Sequence, residues 1–547
     1  MKASDLFLRC LEAEGVDMIF GVPGEENADI MISLLDSKLE FIICHHEQGA
    51  SFMADVYGRL TGRPGVCLAT LGPGATNMAT GVANANMDRS PVVGIVGQAS
   101  TKRLHKESHQ NMDAVSMYHP ITKWATTISD PENIPEIVHK AFKLAVAEKP
   151  GATLIELPEN IAKKDLDAEP FGLDARVRRP VAEEKSIDQA IALLETAKRP
   201  IILAGNGCAR TRAAKQLSRF VEKTGIHVST TFMGKGVVSA KNPLCLFSAG
   251  LASRDHVTDA FRLADLVIAI GYDMVEWHPS LWNVGNQKKI IHIDFNPAEV
   301  DENYRADVEI VGDLASSLWA INERLTDRHY WDNEEFKQER VRILRDLHEH
   351  DCDESYPMKP QRILSDLRRV MGPEDIVISD VGAHKIWAAR NYPTFHPNTC
   401  IISNGFCSMG IAVPGAIAAK KLFPEKRIVG LCGDGGFLMN VQELATAVQY
   451  KIPTVFLVWV DNGYGMIAWK QELYHGRVSH AMFKNPNFVR LAEAFGCRGI
   501  EVETAKDFRP AMEAAFATTD RPTVVTVAVD YSENLKLSKL KGDIHSR

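Results

Sequence analysis

The chain has 547 residues, 45% apolar and 24% charged, with 62 Lys and Arg against 70 Asp and Glu for a formal net charge of −8. A chain of this length predicts several globular domains with buried cores, and its mild acidity without a long basic run argues against nucleic acid and against an anionic membrane surface. The longest apolar runs, such as "PVVGIVG" and "TVFLVWV", fall short of the ~18 residues a membrane helix needs, so no membrane span is expected.

The N-terminal "MKASDLFLRCLEAEGVDMIFGVPG" sets Lys2, Asp5, Arg9, Glu12 and Glu14 into a helical apolar pattern, which reads as native fold rather than a signal peptide. Ten cysteines without a CxxC pair read as reduced, mostly buried thiols, pointing to a cytoplasmic protein. From Lys2 to about Leu157, "MIFGVPG", a helix from about Glu26, "EFIICHH", the helix "QGASFMADVYGRLTG", "GVCLATLG" and "VVGIVG" alternate. This predicts a doubly wound parallel sheet in a first domain, 1–165. The proline-bearing "DLDAEPFGLDARVRRPVAEEK" reads as a linker. A second α/β domain, 183–325, contains "RPIILAGNGCAR", "DLVIAIG" and "KKIIHIDFN". A charged stretch from Thr326 to Glu354 holds at most a helix, and a third domain, 356–535, carries "DIVISDVGAH", "GLCGDGG" and "TVFLVWVDNG" as strand ends. The fold class is α/β, with three doubly wound parallel-sheet domains.

Ligand sites on open parallel sheets lie beyond the carboxyl ends of strands. Asp434 and Asp461 each follow such an end, on either side of one strand–helix–strand crossover, and are expected side by side. Two carboxylates with a nearby backbone carbonyl make a hard-oxygen site for magnesium. Gly433, Gly435 and Gly436 allow close backbone approach just before a helix, which suits a phosphate. Either aspartate alone is more often a helix cap or turn residue; together they point to magnesium and a diphosphate. This pattern resembles the thiamine-diphosphate fingerprint. Such a cofactor needs a carboxyl group at N1′ of its aminopyrimidine, and Glu47 is the candidate, where the strand "EFIICHH" passes into a helix. Burial would raise its pKa and a helix N-terminus would favour its charged form. His45 and His46 read as strand residues rather than ligands, the "HEHDCDE" cluster as solvated linker, and "GNGCAR" as a packing turn.

With "HHEQGA", "LGPGATN", "SNGFCSMG" and the metal motif in order, nearly the whole chain resembles the thiamine-diphosphate enzymes of the acetohydroxyacid synthase and pyruvate oxidase group. "ESHQNMDAVSMYHPITKW", "IGYDMVEWHPSLWN" and "WVDNGYGM" are most similar to the catabolic, FAD-independent acetolactate synthases. The resemblance implies pyrimidine-binding, central and diphosphate-binding domains in that order. It also implies small 2-oxo acid substrates, thiamine diphosphate and Mg2+ but no FAD, and a homodimer or homotetramer with active sites at the dimer interface and no regulatory subunit. Residue by residue, Glu47 would activate the cofactor and Met409 would be the apolar wedge that bends it, with Gln110 and Lys123 as polar groups near the reacting carbon. Gly72, His384, Gly435, Gly436, Tyr464 and Met466 would contact the cofactor, and Asp434, Asp461 and the carbonyl of Gly463 would hold the metal. The implied reaction decarboxylates one pyruvate and condenses its two-carbon unit with a second to give 2-acetolactate. A 2-oxo acid decarboxylase is the alternative, and a non-catalytic nucleotide-binding protein of the same fold a third reading. "EQGASFMADVYGR" and Trp469 instead resemble the biosynthetic enzymes, in which a nearby tryptophan favours 2-oxobutyrate, so the acceptor stays open between that and pyruvate.

Overall fold

The computed structural model describes residues 1–171, 179–209, 211–250, 255–325 and 331–537. The middle of the linker (172–178), Arg210 of "GNGCAR" and the start of the charged stretch (326–330) lie outside the described residues. Three six-stranded sheets follow one another along the chain.

The first sheet contains β1 (Met18–Gly21), β2 (Glu40–Ile43), β3 (Gly65–Ala69), β4 (Val92–Gln98), β5 (Trp124–Thr127) and β6 (Ala152–Pro158), in the order β2-β1-β3-β4-β6-β5, all parallel. Strands β3, β4 and β6 are buried at every position, as their unbroken apolar runs require when helices cover both faces of a sheet. Helix α1 (Glu47–Thr61) follows β2, and α2 (Pro73–Met87) follows β3. His45 and His46 lie beyond the end of β2, not inside it as the sequence suggested. His46 is the N-cap of α1, its Nδ1 accepting the Gln48 amide at 3.1 Å and so satisfying one of the helix's unpaired N–H groups.

The second sheet is built from β7 (Pro200–Ala204), β8 (His227–Thr231), β9 (Cys245–Ala249), β10 (Leu266–Ile270), β11 (Lys289–Asp294) and β12 (Val308–Val311). Its order, β12-β11-β10-β7-β8-β9, is that of dinucleotide-binding folds. The "GNG" turn after β7 packs on the segment after β10: a Cβ on Gly205 would stand 2.3 Å from the carbonyl oxygen of Gly271. Phe261, Tyr272, Trp277, Trp282 and Tyr304 form a buried aromatic nest, with the Phe261 and Trp277 rings 4.9 Å apart. Helix α3 (His256–Leu263) leads into β10, and α4 (Glu334–His348), the one helix among the described residues of the charged connector, packs on α3.

The third sheet, β13 (Ile376–Ser379), β14 (Cys400–Ile402), β15 (Ile428–Gly433), β16 (Val455–Val460), β17 (Arg498–Val502) and β18 (Thr523–Ala528), has the order β14-β13-β15-β16-β18-β17 and repeats the topology of the first. In both, the chain leaves the opening strand in opposite directions, so a crevice opens at the carboxyl ends of β1 and β3 and of β13 and β15. The helices that matter here are α5 (Ala383–Asn391), α6 (Ala412–Leu422), α7 (Asp434–Met439) and α8 (Gly465–His475). One apolar core runs through the first and third units, where Phe52 and Val56 of α1 share a cluster with Ala412, Val413 and Ala416 of α6. All ten cysteines are free and only Cys352 is exposed. Among the described residues no helix is long and apolar enough to cross a membrane.

Candidate active site

Strands β15 and β16 run side by side with Gly433 opposite Trp459, which makes neighbours of the aspartates just beyond their ends. Asp434 is buried. Its Oδ1 accepts the Gly435 amide at 2.8 Å, and its Oδ2 accepts the amides of Asp461 (3.2 Å) and Asn462 (2.7 Å) and the side-chain Nδ2 of Asn485 (2.7 Å). Burial, and then the charge of Asp434, push the Asp461 carboxyl up to about 7. Two carboxylates crowded in this way are short of positive charge, which a divalent cation on oxygen ligands supplies. Gly463 lies in the turn that follows, where the Tyr464 amide donates to the Ala481 carbonyl at 2.8 Å.

The surroundings also fit a polyanionic group. His384, in the first turn of α5, lies against Gly433, and burial holds its imidazole down at about 3, hence neutral. Its Nε2 and the Oδ1 of Asn485 are buried without a hydrogen-bond partner. Buried polar atoms are nearly always paired, so these two fit a bound polar group. A Cβ on Gly435 would come within 2.8 Å of the Tyr464 ring, and one on Gly436 within 2.8 Å of Asp380 Oδ1, so only glycine lets the backbone lie this close. Tyr464 meets Phe483 edge-on at 5.1 Å, while Met466 and Trp469 pack partly buried against the core of the third unit.

Asp380 is a residue that sequence reasoning misses. It follows β13, is fully buried, and accepts the amides of Val381 (2.7 Å), Gly410 (2.9 Å) and Ala412 (3.2 Å). Those bonds hold the turn that presents the half-buried Met409, and burial raises the Asp380 carboxyl to about 6. The available signal is an aspartate directly after an apolar strand in "DIVISD".

In the first unit Glu47 opens α1, 8% exposed, and its Oε2 accepts Asn77 Nδ2 from α2 at 3.0 Å. In the sequence Asn77 stands out only as the last letter of "LGPGATN". Gly72 has φ +53°, and a Cβ there would stand 2.6 Å from the carbonyl oxygen of Gln110, so the structure sets the exposed Gln110 against it. The carboxylate of Glu443, from the third unit, accepts the His45 amide at 3.2 Å and the Thr446 hydroxyl at 2.6 Å, tying the end of β2 to that unit. Burial, with the charge of Glu47 adding, lifts the Glu443 carboxyl to about 7.

One placement differs from the expected site. Lys123 stands directly before β5, at the amino end of the sheet, whereas Glu47 and Gly72 follow carboxyl ends. Its Nζ donates to the carbonyls of Ala147 and Lys149, and burial lowers its pKa to about 8. The structure therefore does not bring Lys123 to the Glu47 cluster; a residue that precedes a parallel strand faces the end opposite to the ligand crevice.

The models of the thiamine pyrophosphate enzymes match in order, the N-terminal TPP binding domain over residues 1–117, the central domain over 187–321 and the C-terminal TPP binding domain over 380–527. The chain is 34% identical over 552 residues to an acetolactate synthase of Bacillus subtilis, covering 99% of this chain and 95% of that one. It is 34% identical over 548 residues to a catabolic acetolactate synthase of Raoultella terrigena, covering 99% and 97%. Identity to the large subunit of acetolactate synthase isozyme 2 of Escherichia coli is 33% over 545 residues, covering 98% and 97%. With all three domains matched in sequence order and its relatives aligned end to end, the chain belongs to the thiamine pyrophosphate enzymes, in the acetolactate synthase family.

Proposed function

We propose that the protein is an acetolactate synthase that decarboxylates one pyruvate and joins the two-carbon remainder to a second, giving 2-acetolactate and carbon dioxide. One observation carries the reading: Asp434 and Asp461 share a buried, hydrogen-bonded site at the ends of adjacent strands, in a chain aligned end to end with acetolactate synthases. Bound thiamine diphosphate supplies the electron sink for decarboxylation. Asp434, Asp461 and the Gly463 carbonyl would hold Mg2+, with the amides of Gly435 and Gly436 and the side chain of His384 beside the diphosphate. Gly72, Met409, Tyr464 and Met466 would flank the rings and Gln110 the reacting carbon. Glu47, with Oε2 oriented by Asn77, would exchange a proton with the pyrimidine N1′ through Oε1. Lys123 has no place in this set.

We take the site to be completed by a second copy, in a homodimer or homotetramer, as the resemblance to this family implies. The free, mostly buried thiols favour the cytoplasm. The domains of this enzyme are taken as 1–165, 183–325 and 356–535. The aromatic residues Tyr272, Trp277 and Trp282 pack together as buried core, which supports function without FAD. Some relatives are named large subunits; for this chain we take no small subunit to be required. The test is to incubate the purified protein with pyruvate, Mg2+ and thiamine diphosphate. Acetolactate is expected; acetaldehyde instead would mark a decarboxylase, and no product would reject both.

A further inference from the structure

A second constellation lies far along the chain from the proposed catalytic residues, at the seam between α3 and the connector helix α4. His256 and Asp259 stand one turn apart on α3, and Glu339 and Asp346 two turns apart on α4. His256 Nδ1 is 3.1 Å from Glu339 Oε2 and 3.8 Å from Asp259 Oδ2, while its Nε2 is 3.2 Å from Asp346 Oδ2. Glu339 is 5% exposed. Although only 3.1 Å apart, His256 Nδ1 and Glu339 Oε2 are both buried atoms without a hydrogen bond, so the ring N–H direction does not serve this contact. By contrast, His350, in the "HEHDCDE" stretch, meets Asp353 at 3.0 Å and Glu533 at 3.2 Å in hydrogen bonds, so both its ring nitrogens are committed.

The remaining geometry is that of a metal site. Ligands held ~2.0–2.1 Å from a tetrahedral zinc ion lie about 3.3–3.4 Å from one another, and the Nδ1 separations of 3.1 and 3.8 Å bracket that spacing. Each of the two carboxylates turns one oxygen toward the imidazole and gives the other to an arginine of its own helix, Asp259 Oδ1 to Arg262 at 3.1 Å and Glu339 Oε1 to Arg342. Asp346 Oδ2, facing Nε2, favours the tautomer with the proton on that nitrogen and so leaves Nδ1 unprotonated. A carboxylate behind a histidine and partners behind carboxylates are the outer contacts that orient metal ligands. The imidazole selects a transition metal over magnesium.

We propose that His256 Nδ1, Asp259 Oδ2 and Glu339 Oε2 form a site for a divalent transition-metal ion, with zinc the ion of choice and water as fourth ligand, which clamps the connector helix onto the central unit. The site is separate from the Asp434–Asp461 pair and has a structural role. Zinc binding is measured by calorimetry and metal analysis on the full chain, stripped of metal and then supplied with excess Mg2+ and thiamine diphosphate to occupy the other site. The variants are His256→Ala and Glu339→Gln, the latter keeping the side-chain volume so that circular dichroism can verify its fold. About one zinc per chain, a zinc-dependent rise in Tm, and at least tenfold weaker binding in both variants are expected. Wild-type protein that takes up no zinc, or a folded Glu339→Gln variant that binds it as tightly as wild type, overturns the proposal and leaves the cluster with a proton only.

Discussion

The contact between Asn77 and Glu47 gives the most direct test of how this fold prepares its chemistry. Asn77 donates to Glu47 Oε2 at 3.0 Å across two helices, so replacing it with alanine removes one hydrogen bond to a carboxylate without touching the carboxylate. Such bonds contribute ~1.5–3 kcal/mol, and each 1.36 kcal/mol is tenfold in rate, which brackets the loss at about 10- to 150-fold. Asn77 is only half-buried, so water can partly replace its amide, and the expected fall in kcat is about 10- to 30-fold, with global stability within ~1 kcal/mol of wild type. Glu47→Gln, which removes the exchangeable proton itself, should keep the fold and cofactor binding while losing about 10² to 10⁴ in turnover. Because Asn77 acts only through Glu47, the double variant should be no slower than Glu47→Gln alone. Steady-state acetolactate formation at saturating cofactor, with thermal unfolding as control, measures all three. Multiplying losses in the double variant, or an Asn77→Ala enzyme within twofold of wild type, would refute the reasoning.

Asp434→Ala and Asp461→Ala should raise the requirement for Mg2+ and thiamine diphosphate and recover part of their activity at high concentrations of both; an unchanged cofactor requirement removes these residues from the metal site. Gly72→Ala puts a Cβ 2.6 Å from the Gln110 carbonyl oxygen at φ +53°, where a side chain costs about 1–3 kcal/mol in backbone strain; wild-type protease sensitivity of the 101–113 loop together with wild-type activity would contradict the packing. Freshly purified protein should be colourless, and a stoichiometric flavin absorption band whose removal abolishes activity would overturn the FAD-free reading. Burial pushes the His227 imidazole down from 6.5 to about 4. Between those values the unfolded chain binds the extra proton, so the stabilising effect present above pH 6.5 is lost as pH falls toward 4, about 2 kcal/mol of it by pH 5. Urea unfolding at pH 7 and pH 5 should therefore show a smaller acid loss in His227→Gln than in wild type, and equal losses would exclude this histidine as the source.

The sequence by itself carries what backbone periodicity encodes. Apolar runs ending in "GDGG" and "VDNG" are legible as strand ends, and because a single crossover separates them, chain order alone places Asp434 and Asp461 side by side. Glu47 is legible for the same reason, at a junction of strand and helix. The tertiary structure decides whatever depends on contacts between distant segments. Asn77 reaches Glu47 from another helix, Asn485 reaches Asp434 from 51 positions away, and Asp380 holds the Met409 turn from 30 positions away. Lys123, implied near the reacting carbon by the resemblance, precedes its strand, and position along the chain does not say which end of a sheet a residue occupies. The seam of His256, Asp259, Glu339 and Asp346 is invisible in the sequence because each helix shows only an ordinary charged face until the two pack. Local pattern follows from the two soft dihedrals and the side-chain repeat of each residue. Burial, pairing and pKa follow from which surfaces of the folded chain exclude water from one another, and that is set only once all three sheets and their connector have packed.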